Sequence, residues 1–170
     1  NSTEEKISKE EIKSIIESSS GSEIINKEMI SGIFNFDNKS AKEVMTPRTD
    51  VFILNIDSPI DEMLTQIFEE KYSRIPVYEN DIDKIIGILY IKDLMIESYK
   101  HGFDNVDNKK ILHEPYFIPD TKNVNSLFEE LQSSKKHMAV WIDEYGGFSG
   151  IITIEDIIEE IMGEIDDEYD

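Results

Sequence analysis

The sequence predicts an α/β (α+β) fold made of two copies of one β-α-β-β-α unit, packed with pseudo-twofold symmetry and preceded by a helical linker. Three observations predict it. The stretch GIITIEDI (Gly150–Ile157) repeats the type of an earlier GILYIKDL (Gly87–Leu94), and each apolar run closes on an acid, Asp156 or Asp93. At the offset that separates those two acids, Ile75 meets Met138, Val77 meets Val140 and Tyr78 meets Trp141. With a one-residue gap, Met63-Leu64 also aligns with Leu127-Phe128. A unit of about 55 residues is marginal alone, because too little of its surface is buried. Two copies are expected to cover each other's sheets and leave a cleft between equivalent elements, a natural ligand site.

The elements follow in order. Residues 1–43 read as a helical connecting segment: Thr3 can cap a helix with Ile12, Ile15 and Ile16 on one face, SSSGS (Ser18–Ser22) breaks it, and Ile25, Met29 and Ile33 start a second stripe. The first repeat, 44–103, opens with the strand composition VFILNI (Val51–Ile56). Ser58 then reads as a helix cap, Pro59 as the first helical residue and Asp61 as the capping-box acid, with Met63, Leu64 and Ile67 at helical spacing. IPVY (Ile75–Tyr78) and IIGILY (Ile85–Tyr90) are expected as paired strands around the loop ENDID, and a helix over Lys92–Tyr99 closes the unit. The second repeat, 104–163, gives a short strand YFI (Tyr116–Ile118), a helix over Val124–Leu131, strands MAVWI (Met138–Ile142) and FSGIITI (Phe148–Ile154) around DEYGG, and a last helix from Asp156 toward Met162. Residues 164–170 read as an acidic linker toward a further domain.

Composition narrows the function. The 170 residues carry 39% hydrophobic and 32% charged side chains, as soluble globular proteins do, but a net charge of −20. That charge argues against a nucleic-acid partner, which needs a basic footprint, and is repelled by an anionic membrane surface unless something else anchors the chain. With no cysteine there is no disulfide, thiolate metal site or cysteine nucleophile. No stretch approaches the roughly 18 apolar residues that span a bilayer. The opening Asn1, in place of a Met, suggests a piece of something longer.

Few residues carry chemistry. A carboxylate after a strand and at a helix mouth can accept hydrogen bonds from the two vicinal hydroxyls of a ribose, or can simply cap its helix. At matched positions beside a cleft, binding is the better reading of Asp156 and Asp93. Thr153 adds a hydroxyl to the second copy where the first has Tyr90, so the two sites are unequal. The only arginines are Arg48 and Arg74, both in the first repeat, and arginine suits bidentate phosphate recognition. For Arg74, just before a strand, phosphate is favoured. For Arg48, phosphate and an ordinary ion pair with one of 37 acids stand even. Nine acids and no base follow Thr153, most of them a solvated helix face. Neither a phosphate loop nor a G-x-G-x-x-G turn occurs, no H-E-x-x-H or G-x-S-x-G is present, and His101, His113 and His137 read as surface or packing residues. No catalytic residue and no metal site is expected.

These residues resemble a known family. The pattern Gly150-Ile-Ile-Thr153-Ile-Glu-Asp156 resembles that of the cystathionine-beta-synthase-type (CBS) domain, and two copies in tandem look like a Bateman module. EVMTPRTDV, YSRIPVYE and WIDEYGGFSGIITIEDIIEEIMGEIDDEYD are similar to the hemolysin-like magnesium/cobalt efflux (CorC-type) proteins over about residues 40–170. The resemblance implies a regulatory module on the cytoplasmic face of a membrane transporter, following its own transmembrane domain. It implies binding of AMP or ATP, the latter with Mg²⁺, and pairing into a homodimer. Carried over by position, Asp156 and Thr153 match the ribose-binding pair, Thr46, Tyr72 and Arg74 match contacts to the nucleotide and its phosphates, and Arg48 belongs to the motif. Asp93 would mark a second site. The alternative is a dimerisation module with no ligand.

Overall fold

A computed structural model describes residues 40–169; the expectations for residues 1–39, the Thr3 cap and both isoleucine stripes among them, lie outside those residues. The chain opens on a short helix α1 (Ala41–Val44) and strand β1 (Thr46–Pro47). The first repeat follows as β2 (Leu54–Asn55), α2 (Ile60–Glu70), β3 (Arg74–Glu79), β4 (Asp81–Tyr90) and α3 (Ile91–His101). The second is β5 (Phe117–Pro119), α4 (Val124–Ser134), β6 (Met138–Ile142), β7 (Phe148–Thr153) and α5 (Ile154–Tyr169). The duplicated β-α-β-β-α order is the one the constant offset between the copies predicts.

The two sheets have matching topology. One runs β2-β3-β4 and the other β5-β6-β7-β1, with β2 parallel to β3, β5 parallel to β6, and the remaining pairs antiparallel. The outer edge of each sheet is taken by the segment leading into the other repeat. Thr46 of β1 pairs with Ile151 of β7, and His113 forms an isolated antiparallel bridge to Ile88 of β4. Pro76 sits inside β3 at a non-hydrogen-bonded pair with β4. Opposite it, Ile88 directs its N–H and C=O to His113, both at 2.9 Å, and asks nothing of the missing proline N–H.

Three apolar clusters hold the elements. Met63, Ile67, Ile75, Val77, Leu89 and Leu94 form the core of the first repeat. Leu127, Phe128, Leu131, Ile152, Ile157 and Ile161 form that of the second, and Ala41 of α1 packs into it. Between them, Ile85 and Ile88 meet Met138, Val140 and Phe148. Burying each sheet's inner face against the other supplies the apolar burial a single unit lacks. Helices α2 and α4 both end on a left-handed lysine, Lys71 (φ 60°) and Lys135 (φ 58°), at matched positions of the duplication.

Several boundaries differ from the sequence expectation, each for a local reason. Of VFILNI only Leu54–Asn55 forms a strand, because a 3₁₀ turn at Arg48–Asp50 delivers the chain extended but unpaired. Val51 and Ile53 still face the inter-repeat cluster while Phe52, Leu54 and Ile56 face the first core. The capping box at Ser58 does not form: Ser58 closes a turn onto the Asn55 carbonyl (3.1 Å), and α2 starts at Ile60 with Pro59 as an extended cap. ENDID is not a loop, since β3 and β4 run up to a single left-handed residue, Asn80 (φ 66°). The YFI strand lies one residue later, and α3 and α4 extend beyond the expected ends. Helix α5 opens at Ile154, two residues before Asp156, and continues through Tyr169 across most of the expected linker.

Candidate functional site

The start of α5 is organised by two residues that bond each other. The Asp156 N–H donates to Thr153 Oγ1 (3.1 Å), and the Thr153 N–H donates to Asp156 Oδ2 (3.3 Å). This reciprocal arrangement satisfies the first orphan donors of the helix and fixes both side chains. It engages one carboxylate oxygen of Asp156, and both residues line a cavity of about 260 Å³.

Three stretches of the chain supply the walls. The first is β1 and the following turn, with Thr46, Asp50, Val51 and Phe52; the second is the approach to β3, with Tyr72, Ser73, Arg74 and Pro76. Met138, Ile151, Thr153 and Asp156 close it from the second repeat. The cavity therefore lies between the repeats, and it gathers five of the expected site residues: Thr46, Tyr72, Arg74, Thr153 and Asp156. Phe52 stacks on Tyr72 with ring centroids 5.9 Å apart and planes at 22°, giving one aromatic wall.

Arg74 is the one cationic residue in the lining. Its guanidinium lies 5.4 Å from the centroid of the Tyr90 ring, and Nη1 stands 3.7 Å from Glu155 Oε1. Its Nε is buried and has no hydrogen-bond partner. An unmatched donor on a fixed cation is costly to desolvate unless an acceptor meets it. Burial raises the Tyr90 hydroxyl above the ordinary tyrosine range, with Arg74 opposing. The position equivalent to Arg74 in the second repeat is His137. Burial, and then the charge of Arg74, holds its imidazole below the usual value, with Glu155 opposing.

Two expected residues lie elsewhere. Arg48 is not in the lining: its Nη1 pairs with Asp83 (2.8 Å) and donates to the Phe148 carbonyl (3.2 Å), while the Phe148 N–H donates to the same Asp83 oxygen (3.1 Å). It ties the β3–β4 hairpin to the start of β7. Asp93 shares a 2.6 Å hydrogen bond with His113 Nε2. Sequence reasoning does not name Asp50, Phe52, Ser73 or Met138 as cavity walls. Phe52 and Met138 read as strand residues, and only the offset that puts Met138 opposite Ile75 hints at an inter-repeat position. Among the described residues, no group of three or more His, Cys, Asp or Glu could hold a metal ion, and no helix is long and apolar enough to cross a membrane.

Comparison with known proteins gives the family and the fold. The CBS domain pattern fits residues 41–100 and again 109–163. Hemolysin C of Brachyspira hyodysenteriae is 41% identical over 144 residues, which are 85% of this chain and 52% of the relative. The magnesium and cobalt efflux protein CorC of Buchnera aphidicola is 38% identical over 165 residues, 95% of this chain and 56% of the relative. The chain thus spans about half the length of these curated relatives. The CBS domain of a bacterial CNNM/CorC family Mg²⁺ transporter, solved in complex with ATP, superposes with a TM-score of 0.71 at 37% identity, covering 81% of this chain and 96% of that one. A CBS-domain pair from Klebsiella pneumoniae, solved with bound AMP, gives a TM-score of 0.66 at 27% identity, covering 73% and 98%.

Proposed function

This chain belongs to the CBS-domain family, in its hemolysin-like, CorC-type branch, and from that premise we propose that it is a regulatory module binding an adenine nucleotide between its two repeats. The observation that carries the reading is the pairing of the Thr153–Asp156 box with Arg74 in one cavity. The Asp156 carboxylate, fixed by the box, offers acceptors to the vicinal hydroxyls of a ribose. The Thr46 and Thr153 side chains add polar contacts, and Phe52, Tyr72, Val51 and Ile151 give the base an apolar and aromatic slot. Arg74 brings the lining's one positive charge, and a buried Nε without a hydrogen-bond partner, to the side where phosphate would lie. The lining fits such a ligand in chemistry, and the cavity of about 260 Å³ lies just under the roughly 300 Å³ at which small-ligand pockets begin.

ATP and AMP, each bound in a relative, are the candidates. Glu155 beside Arg74 disfavours added phosphate charge unless a cation accompanies it, which supports ATP entering together with Mg²⁺. The nucleotide phosphates, together with several waters, would hold that ion. Because the cavity walls come from both repeats, Asp156 and Arg74 would draw the repeats into one relative orientation. A ligand shifts such an equilibrium only through differential affinity for the two arrangements. In the longer protein the module would stand on the cytoplasmic side of a membrane transporter for divalent cations, bias its transmembrane domain, and pair as a homodimer. Exposed Met95, Ile96 and Tyr99 on α3 and Phe68 on α2 support that pairing, and they also sustain the second reading, a dimerisation module indifferent to ligand.

Thermal unfolding with AMP, ADP and ATP, each with and without Mg²⁺, separates the two. A nucleotide at 100 times its dissociation constant adds about 2.7 kcal/mol of stability. The expected result is a rise of several degrees with one nucleotide, lost in Asp156→Ala and weakened in Arg74→Ala. No shift with any nucleotide at millimolar concentration would leave the dimerisation reading.

A further inference from the structure

The duplication gives the first repeat an equivalent of the Thr153–Asp156 site, and a half-exposed side chain of the chain itself, His113, stands there. Ile88 and Ile151 occupy equivalent places in the two copies, separated by the same offset as Asp93 and Asp156. Thr46 pairs with Ile151 and His113 with Ile88, so His113 is the counterpart of Thr46. The glycines behind these edges agree. A Cβ on Gly150 would meet Met45 Cε at 2.6 Å and the Thr46 carbonyl, and one on Gly87 would meet Leu112 Cβ at 2.6 Å and the His113 carbonyl at 3.1 Å. Both crossing segments lie against a bare backbone.

The counterparts of Thr153 and Asp156 are Tyr90 and Asp93, and there the contents differ. The His113 imidazole stacks on the Tyr90 ring, centroids 3.8 Å apart and planes at 17°, and its Nε2 is 2.6 Å from Asp93 Oδ2. Two backbone hydrogen bonds to Ile88 hold the residue in place. An aromatic face below and a carboxylate at the edge are the elements that recognise a planar nitrogen heterocycle. We infer that Tyr90 and Asp93 form a half-exposed binding site for a planar nitrogen heteroaromatic ring, occupied by the chain's own His113, so that only the Thr153–Asp156 pocket is open to a nucleotide. The nucleotide count rests on the reading proposed above; the assignment of His113 does not.

The inference is tested on the 170-residue chain. His113→Ala vacates the site, and millimolar imidazole should then raise the unfolding temperature of that variant by a few degrees while leaving the parent unmoved. Adding Asp93→Asn to His113→Ala should remove the effect. Imidazole that fails to stabilise His113→Ala, or that stabilises the parent and the double variant equally, overturns the assignment. Should His113→Ala not fold, the imidazole resonances of His113 in the parent give the second measurement. They should stay in place when nucleotide saturates the protein, with one nucleotide bound per chain by titration calorimetry. Movement of those resonances together with two nucleotides per chain overturns the inference. A parent that binds no nucleotide, beside a His113→Ala variant rescued by imidazole, sinks the nucleotide reading and leaves His113 as the internal ligand.

Discussion

Thr153 and Asp156 each serve the helix and the cavity with the same side chain. The Thr153 hydroxyl accepts from the Asp156 N–H, and the Asp156 carboxylate accepts from the Thr153 N–H. Removing the hydroxyl costs twice: Thr153→Ala should lower stability by about 0.5–2 kcal/mol, the usual worth of such a cap, and should weaken nucleotide binding, whereas Thr153→Ser keeps both. Denaturant unfolding and calorimetric titration of the two variants check this, and equal loss in both would assign the effect to the methyl group instead. His137 makes a pH prediction. Its imidazole is held below the ordinary value by burial first and by Arg74 second. As pH falls through about 6.5 the unfolded chain takes up a proton that the folded chain still refuses, so stability is present above that pH and declines below it. His137→Asn should lose less stability than the parent between about pH 7 and about pH 5, read from denaturant unfolding at each pH. At this scale the sequence was most legible where residue type restricts chemistry. The acid at a helix mouth and an arginine before a strand both reached the cavity. Arg48 shows the limit, since its pairing with Asp83 depends on a hairpin reach that local sequence does not encode.

At the scale of elements, the segments that cross between the sheets are what place the cavity. Strand β1 lies against Gly150, and a Cβ there would strike both the flexible Met45 side chain and the fixed Thr46 carbonyl. Only the methionine can yield. Gly150→Ala should therefore cost about 1–3 kcal/mol, as overpacking does, and should reduce nucleotide affinity by pushing Thr46 out of place. Gly163→Ala is the control: nothing lies within 4 Å of a Cβ there, and the residue is helical, so about 0.5–1 kcal/mol of stabilisation is expected. Thermal unfolding of the two variants should move in opposite directions. The duplicated glycine was visible in the sequence, but its partner was not. A two-residue strand such as β1 has too little periodicity to be read, and its pairing joins Thr46 to Ile151 across both repeats. The shortened β2 has the same cause: Val51–Ile56 alternates correctly between two cores, yet the ladder that would make it a strand is missing.

For the whole molecule, the sequence argued from size alone that neither repeat suffices, and the inter-sheet cluster supplies the physical reason. Phe148 is 1% exposed at the centre of that cluster, and its backbone N–H and carbonyl are bound by Asp83 and Arg48 of the other repeat. Side chain and main chain of one residue thus join the two halves, and one cooperative unfolding transition is expected. Phe148→Ala should cost about 3–5 kcal/mol and lower both repeats together, although the substitution lies in the second. Trp141, the only tryptophan, reports on the second repeat, and far-ultraviolet circular dichroism reports on both. The two signals should trace one coincident transition in the parent and in the variant. A tryptophan transition that moves to lower temperature while part of the dichroism change stays behind would mean that the repeats unfold separately. A cavity lined from both halves could not then transmit a bound nucleotide as one change of orientation.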